Sequence, residues 1–257
     1  MYKLYVIPGS HACRSAILML DHKRVQYRRV DVLTLTHPVR ARLHGFSAGG
    51  QKRVTGARRT LGVRLGDMLG TVPALDADGR KVSTNHGIAR FLDEHHPDPP
   101  LLPDDPDERR AVEEAERWAN EVLQMAARRL PAGALIRDPA GMARSSGDGR
   151  MGYLLYRSEL ARRLINPLIL RVAFNVDRST DAELLPELPG MLDRIDRWIE
   201  EGVLGREQLN VADFRVAPSR ALMLSRSDLY PYFEGRPALD LVDRLLPEPG
   251  PGARVLV

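Results

Sequence analysis

The stretch from Gly70 to Pro97 constrains the fold most, because a proline lies inside its short apolar run, Val72 to Leu75. Proline cannot donate a hydrogen bond to a strand ladder, so Pro73 needs either an edge strand or a cis Val72-Pro73 bond. A cis bond would turn the backbone groups of Val72 toward a ligand. The stretch therefore bears on both the fold and the position of a binding site.

The remainder of this stretch predicts a hairpin followed by a helix. Asp76-Ala77-Asp78-Gly79 is a turn sequence whose glycine can take a positive φ, and Lys81 to Ser83 is a short second strand. The helix begins near Thr84 or Asn85, since either side chain can accept hydrogen bonds from first-turn amides, and Pro97 stops it. A strand with free backbone beside a helix N-terminus can hold an extended peptide and its carboxylate. The alternative is an ordinary edge strand and an ordinary cap.

The N-terminal residues predict a parallel strand pair joined by a helix. Lys3 to Ile7 and Val25 to Val32 have strand patterns, and Ala12 to Lys23 has helical periodicity. A crossover of about 20 residues is typical of parallel strands. The segment Ser10-His11-Ala12-Cys13 then lies where a strand meets a helix N-terminus. Such a position binds anions and lowers the pKa of thiols.

Two residues at this helix start are candidates for thiol chemistry. Ser10 is either the donor of a hydrogen bond to the thiolate of a bound substrate or a plain helix cap. Cys13 is either a nucleophile that forms mixed disulfides or a half-buried packing residue. As the single cysteine of 257 residues, Cys13 excludes an internal disulfide and any multi-cysteine metal site. The histidines lack metal-ligand spacing, so no metal is predicted.

The proline-rich segment from Pro97 to Pro103 predicts a domain boundary. Residues 1–97 form an α/β domain, 98–104 the linker and 105–257 an all-helical domain. Asn210 to Asp213 has the pattern of a capping box, with Asp in place of the usual Glu or Gln. The predicted helices are Asp105–Arg129, Tyr153–Asn175, Leu184–Glu201, Phe214–Leu224 and Ala238–Leu246. A kink is predicted at Pro167. Residues 138–150 are predicted to form a loop, and the tail from Pro247 to be irregular.

Residues 40–64 are predicted to be a basic insertion in the first domain, since they contain seven lysines and arginines and no acid. A short helical segment from Pro38 to His44 precedes a basic loop that is longer than most connections. His37 and this segment can contact an acidic ligand, although a solvated loop is the alternative.

The overall composition predicts a cytoplasmic protein with neither a nucleic-acid nor a membrane partner. A net charge of +4 does not by itself indicate nucleic acid, and aromatic residues, at 5%, are not interleaved with the basic ones. No apolar run approaches the ~20 residues that a membrane helix needs. The N-terminal residues are too mixed for a signal peptide.

Three motifs, in this order and spacing, resemble the cytosolic glutathione transferase superfamily over nearly the whole chain. The resemblance implies an α/β plus all-α fold, in which a thioredoxin-like N-terminal domain is followed by the all-helical glutathione-transferase C-terminal domain. It also implies the family's homodimer. The motifs are Val72-Pro73-Ala74-Leu75 for the cis-proline strand, Ile88 to Glu94 with Pro97 and Leu101-Leu102-Pro103 for the third helix and linker, and Asn210-Val211-Ala212-Asp213-Phe214 for the Ser/Thr-x-x-Asp box.

The resemblance implies an enzyme of the glutathione S-transferase type, which conjugates the thiol of glutathione to a small hydrophobic electrophile, as in detoxification. Pro8 to Ser15 is most similar to the delta and theta-like classes, where the serine after Pro-Gly activates the sulfur, so this role falls on Ser10. In beta and omega-like members a cysteine near this helix start reacts directly. Cys13 is accordingly the alternative, and would give a thiol-disulfide exchange enzyme.

Glutathione, as co-substrate, is implied to bind along the central stretch. The Val72 backbone would pair with its cysteinyl part, and Thr84-Asn85 align with the family's Glu/Gln-Ser pair, which holds the γ-glutamyl end. His86 falls where several members have a basic residue. The implied glutathione-binding residues are Val72, Pro73, Thr84, Asn85, His86 and His37, the last matching a glycine-carboxylate contact.

The chain departs from the family at the Glu-Ser pair. Thr84 has no negative charge to meet the γ-glutamyl ammonium, and a lost charge-assisted hydrogen bond costs about 1.5–3 kcal/mol. Asn85 can still donate to a carboxylate as the serine does. A further interpretation is therefore a non-catalytic binding protein on the same fold.

Overall fold

The computed structural model describes residues 1–33, 36–46, 69–137 and 158–246. The strands are β1 (Tyr2–Val6), β2 (Tyr27–Asp31), β3 (Ala74–Ala77) and β4 (Arg80–Ser83). The helices are α1 (His11–His22), α2 (His37–Leu43), α3 (Thr84–His95), α4 (Pro106–Trp118), α5 (Gln124–Arg137), α6 (Asn166–Phe174), α7 (Thr180–Leu184), α8 (Leu188–Glu200), α9 (Asp213–Met223), α10 (Tyr230–Phe233) and α11 (Pro237–Leu245). The predictions for residues 47–64, 138–150, 153–157 and the tail from Pro247 lie outside the described residues.

The four strands form one mixed sheet in the order β2-β1-β3-β4. β1 runs parallel to β2, with Tyr2 opposite Tyr27, as the strand-helix-strand pattern predicts. β3 runs antiparallel to both β1 and β4, and its Leu75 lies opposite Leu4 on one side and Val82 on the other. All three of these side chains are buried. These three side chains are part of the core of the N-terminal domain.

The hairpin between β3 and β4 has the predicted turn. Gly79 takes a φ of +100° and Asp78 a φ of +51°, a pair of positive values that suits a tight hairpin. The Asp76 carboxylate accepts a hydrogen bond from the Gly79 amide at 2.8 Å and pairs with the Lys81 ammonium at 2.7 Å. Local side-chain bonds thus fix this turn.

Two helices supply apolar side chains to the core beside the sheet. α1 buries Ala12, Ala16, Met19 and Leu20. α3 buries Ile88, Ala89, Phe91 and Leu92. Both sets follow the spacing of three and four residues that puts side chains on one helix face.

The helical domain begins after the linker, in which Leu101 and Leu102 are buried. The predicted helix from Asp105 consists of α4, a π-helical turn at Ala119–Leu123, and α5. It extends past the predicted end at Arg129, because α5 accommodates Pro131 within it. α6 directly continues a second π-helical turn at Ala161–Ile165, and Pro167, where the sequence predicts a kink, lies two residues past their junction.

The predicted capping box at the start of α9 is confirmed. Oδ2 of Asp213 accepts from the Asn210 amide at 2.9 Å, and Oδ1 of Asn210 accepts from the Ala212 amide at 2.9 Å. Oδ1 of Asp213 also accepts from the Gly205 amide at 2.8 Å. α9 packs directly on α1 of the other domain. The box therefore stabilises the start of α9, the helix that packs against α1 of the N-terminal domain.

No helix in the described ranges has both the length and the apolar character to cross a membrane.

Candidate functional site

Ser10 is the N-cap of α1, in an extended conformation that precedes the first helical turn. Its Oγ accepts from the Cys13 amide at 3.4 Å, and its own amide donates to the Ile7 carbonyl at 3.1 Å. The side chain is half-buried. A hydroxyl that accepts from an amide keeps its own proton to donate. Capping and donation to a ligand thiolate are therefore compatible roles for Ser10.

Cys13 lies in the core, with 1% of its surface exposed. Its Sγ accepts a hydrogen bond from the Ile7 amide at 3.3 Å. Burial raises the pKa of the Cys13 thiol, and hydrogen bonds from Ile7 and Ser10 offset this only in part. The thiolate is the reactive form, so a buried, protonated thiol is a poor nucleophile. The geometry favours Ser10 over Cys13.

The Val72-Pro73 bond is cis, one of the two arrangements expected for a proline in this run. Both residues are buried, and β3 begins only at Ala74, so Val72 lies just outside the ladder. Its carbonyl accepts a hydrogen bond from the Thr71 hydroxyl at 3.4 Å. Among the described residues, no backbone group pairs with the N–H or the carbonyl of Val72.

Pro73 is tied to α3 rather than to a neighbouring strand. Its carbonyl accepts from the Thr84 amide at 3.2 Å. Thr84 in turn has a φ of +69°, a rare value for a β-branched residue, and its Oγ1 accepts from the Gly87 amide at 3.2 Å. The predicted cap at Thr84 is confirmed. Residues in sparsely populated backbone regions cluster at functional sites, which makes Thr84 a site candidate on its geometry alone.

Asn85 is turned into the protein and is 4% exposed. Its Nδ2 donates to the Ala12 carbonyl at 2.8 Å, joining the start of α3 to the start of α1. Within the described ranges, its Oδ1 is buried without a hydrogen-bond partner. One of the two amide protons is therefore used inside the domain, and the donation from this side chain to a ligand carboxylate stays a prediction. The first-turn amides of α3 are further donors at this position.

His86 and Arg90, on the same helix, meet a carboxylate from the helical domain. Nδ1 of His86 lies 3.3 Å from Oε1 of Glu116, and Arg90 donates to Oε2 at 2.6 Å. Burial opposes ionisation of Glu116, but the His86 bond and the Arg90 charge outweigh it, so the pKa of Glu116 lies below its usual value. Sequence reasoning missed Glu116, because no local pattern separates it from the other acids of α4.

His37, the last of the predicted ligand contacts, is half-buried at the first residue of α2. It lies in a different segment from Ser10, Val72 and Thr84. Its predicted contact with a glycine carboxylate stays a prediction.

His11 is a residue that sequence reasoning left without a role. It begins α1 next to Ser10, has 7% of its surface exposed, and its Nε2 is buried with no hydrogen-bond partner among the described residues. Burial lowers the pKa of His11 well below the usual value, and the charges of Arg128 and Arg215 lower it further. The imidazole is therefore neutral at physiological pH.

The described residues contain no group of three or more histidine, cysteine, aspartate or glutamate side chains that could hold a metal ion.

No protein-family model matches the chain, and no curated protein matches its sequence. Solved structures do match it over nearly the full length. The β-etherase LigF from Sphingobium sp. strain SYK-6 has a TM-score of 0.59 at 19% identity, covering 96% of both chains. A glutathione S-transferase from Methylobacillus flagellatus KT with glutathione bound has a TM-score of 0.57 at 18% identity, covering 94% of this chain and 92% of that one.

A delta-class glutathione transferase from Nilaparvata lugens has a TM-score of 0.55 at 16% identity, covering 97% of this chain and 91% of that one. These similarities extend across both domains. They confirm the predicted α/β plus all-α class, with a thioredoxin-like domain followed by a helical one. The chain therefore has the fold of the glutathione transferase superfamily.

Proposed function

We propose that this chain is a glutathione transferase-like enzyme that joins the thiol of glutathione to a small hydrophobic electrophile. The observation that carries the proposal is the position of Ser10. Its hydroxyl caps α1 at the C-terminal end of β1 while retaining a proton to donate. A similar structure from M. flagellatus was solved with glutathione bound, which supports glutathione as the thiol.

Ser10 would act by stabilising the thiolate. A free thiol has a pKa of about 8.5, so a decrease of about two units makes the thiolate the major form at neutral pH. The Ser10 hydroxyl donates to the sulfur, and the positive end of α1 favours the negative charge. The sulfur then attacks the electrophilic carbon, a C–S bond forms, and the leaving group departs with its electron pair.

Glutathione would lie along the segment from Val72 to the start of α3. The backbone of Val72, outside the ladder and beside Pro73, would pair with the cysteinyl part. The first-turn amides of α3, including those of Asn85 and His86, would hold the γ-glutamyl carboxylate. Thr84 brings no charge for the γ-glutamyl ammonium, so weak glutathione binding is expected. A contact from His37 to the glycine carboxylate is part of the same proposal.

Cysteine-based exchange is the weaker alternative, since Cys13 is buried and its thiol pKa is raised. The homodimer, the cytoplasmic location and a role in detoxification stay predictions.

The proposal is tested with Ser10→Ala and the matched variant Ser10→Thr, which keeps a hydroxyl. With glutathione and 1-chloro-2,4-dinitrobenzene, we expect Ser10→Ala to lower kcat/KM about 100-fold, the usual effect of removing one preorganised donor. Ser10→Thr should retain more activity. The midpoint of thermal unfolding should rise with millimolar glutathione in all three proteins. An unchanged rate in Ser10→Ala would exclude Ser10 as the activating residue.

A further inference from the structure

A buried carboxylate from the helical domain lies against the first turn of α3, where the γ-glutamyl end of glutathione is proposed to bind. Oε1 of Glu116, on α4, is 3.3 Å from Nδ1 of His86, the third residue of α3. The Glu116 side chain is 5% exposed. Apart from His86, its Oε1 has no hydrogen-bond partner in the part of the chain that the structure describes. This oxygen therefore retains capacity to accept from a ligand.

The other oxygen of the same carboxylate is firmly bound. Oε2 of Glu116 accepts from Arg90 at 2.6 Å, and the same guanidinium also donates to Glu113 at 3.3 Å. Burial opposes ionisation of Glu116, but its contacts with His86 and Arg90 keep its pKa below the usual value. The carboxylate is therefore negatively charged at neutral pH, and Arg90 holds it in place with Oε1 toward His86.

The imidazole of His86 is the side chain that a ligand can replace at Oε1. It is 54% exposed, and exposed side chains change rotamer within nanoseconds. Side chains on a helix lean toward its N-terminus, so the imidazole extends toward the first-turn amides of α3. A ligand group that takes the place of the imidazole has these amides and Oε1 of Glu116 as neighbours.

The γ-glutamyl end of glutathione carries two opposite charges, and each needs its own partner. Its carboxylate suits the first-turn amides and the positive end of the α3 dipole, whereas the same potential repels its ammonium. An ammonium has three donors and no acceptor, so it needs an oxygen beside the helix start, best a charged one. Thr84, the first residue of α3, has no charge to offer. Glu116 has one.

We propose that Glu116 binds the γ-glutamyl ammonium of glutathione through Oε1, in exchange for its contact with His86. The inference rests on the proposed function and assigns to the helical domain the negative charge that Thr84 lacks. Because Arg90 shares the carboxylate and His86 must turn away, this contact is weaker than one with a carboxylate that has no other partner. It is therefore consistent with the weak glutathione binding expected from Thr84.

The test compares glutathione with glutaryl-cysteinylglycine, the analogue in which hydrogen replaces the amino group. Calorimetry gives the Kd of each ligand and requires no turnover. We expect Glu116→Gln to raise the Kd of glutathione about tenfold, the value of one charge-assisted hydrogen bond, and to change the Kd of the analogue less than twofold. The glutamine keeps an oxygen that accepts from Arg90.

Glu113→Gln is the matched control on the same helix. Glu113 also contacts Arg90, at 3.3 Å, but its side chain is 42% exposed and its other described partner is Arg109. This substitution should leave the ratio of the two Kd values as in the wild type.

A second readout separates ligand binding from a role in folding. In a Thr84→Glu background the ammonium has another carboxylate, so Glu116→Gln should raise the Kd of glutathione less than it does in the wild type. A purely structural role of Glu116 would give the same increase in both backgrounds, and would overturn the inference.

The remaining outcomes distinguish this inference from the proposed function. Equal losses of both ligands in Glu116→Gln, or an unchanged Kd of glutathione, would overturn the inference. Conjugation of 1-chloro-2,4-dinitrobenzene is measured separately. If no product forms but the loss is selective for glutathione, the proposed function fails and the ammonium contact stands. If product forms and the selective loss is missing, only the inference fails. A wild-type protein that does not bind glutathione would overturn both.

Discussion

The ammonium group of Lys23 lies 2.5 Å from the Asp93 carboxylate, with the lysine side chain fully buried. The same Nζ donates to the His96 carbonyl at 2.7 Å and to the Pro97 carbonyl at 3.3 Å. Oδ1 of Asp93 also accepts from the Leu101 amide at 2.8 Å. This pair therefore joins the end of α1, the end of α3 and the start of the interdomain linker.

Lys23→Met should destabilise the protein by about 3–5 kcal/mol, because it leaves the Asp93 carboxylate and two carbonyls without their partner. The free energy of unfolding in urea measures this loss. Lys81→Met is the matched control, since Lys81 pairs with Asp76 on the more exposed hairpin. Its effect should stay within about 1 kcal/mol. Equal effects of the two substitutions would contradict the role given to Lys23.

Thr84→Glu should tighten glutathione binding about tenfold, because it restores a carboxylate for the γ-glutamyl ammonium. Thr84→Gln has the same length without the charge, and its gain should be smaller. Calorimetric titration with glutathione gives both Kd values. Both variants lose the bond from Thr84 Oγ1 to the Gly87 amide, so their unfolding temperatures must be compared with each other. If binding is no tighter in Thr84→Glu than in Thr84→Gln, the proposed position of the γ-glutamyl end is wrong.

The stability of the protein should depend on pH through Asp213. Burial raises the pKa of this carboxyl to about 6, despite the opposing hydrogen bonds from the Asn210 and Gly205 amides. The unfolded value is about 3.9. Between these values the folded state retains a proton that the unfolded state has lost. The stabilisation is therefore full below pH ~4 and is lost as the pH rises through 6.

Asp213→Asn, which does not titrate, isolates this contribution. The difference in unfolding free energy between the wild type and Asp213→Asn should be about 2 kcal/mol larger at pH 4.5 than at pH 7. Asp104→Asn, at an exposed position, is the control for the same exchange outside the protein interior. If this difference in unfolding free energy is instead larger at pH 7 than at pH 4.5, the two backbone amides favour the ionised form of Asp213 more than burial disfavours it.

The features that the sequence predicted correctly depend on neighbours in the chain. The cis proline at Pro73, the turn at Gly79, the cap at Thr84 and the box from Asn210 to Asp213 each depend on residues a few positions apart. Backbone chemistry therefore makes them recognisable. The order of these motifs along the chain was also enough to predict the fold class.

The features that sequence reasoning missed depend on contacts between distant segments. Asn85 turns inward because the carbonyl of Ala12, 73 positions earlier, accepts a hydrogen bond from its side-chain Nδ2. Glu116 meets Arg90 and His86 only because α4 packs near α3. The burial of Cys13, on which its reactivity depends, follows in the same way from the packing of α1 against α3 and α9. Such pairings have no local signature.

Two buried arginines of the helical domain differ in how they are paired. The guanidinium of Arg220 is 5.2 Å from the ring centroid of Phe233, and its three nitrogens have no hydrogen-bond partner among the described residues. Burial lowers the pKa of Arg220 to about 9. Arg226 instead donates to the Leu130 carbonyl at 3.0 Å and to the Asp181 carboxylate at 2.9 Å. It also forms a bidentate ion pair with the Asp228 carboxylate.

Arg220→Met should leave the free energy of unfolding unchanged or raise it by about 1–4 kcal/mol, because an apolar side chain of similar length removes a buried charge that makes no hydrogen bond among the described residues. Arg226→Met should lower it by about 3–5 kcal/mol, since two carboxylates and a carbonyl lose their partner. Urea unfolding of both variants at pH 7 gives the comparison. A loss above about 2 kcal/mol in Arg220→Met would mean that the cation–π contact with Phe233 outweighs the cost of burying the charge, since such contacts reach about 2 kcal/mol when desolvated.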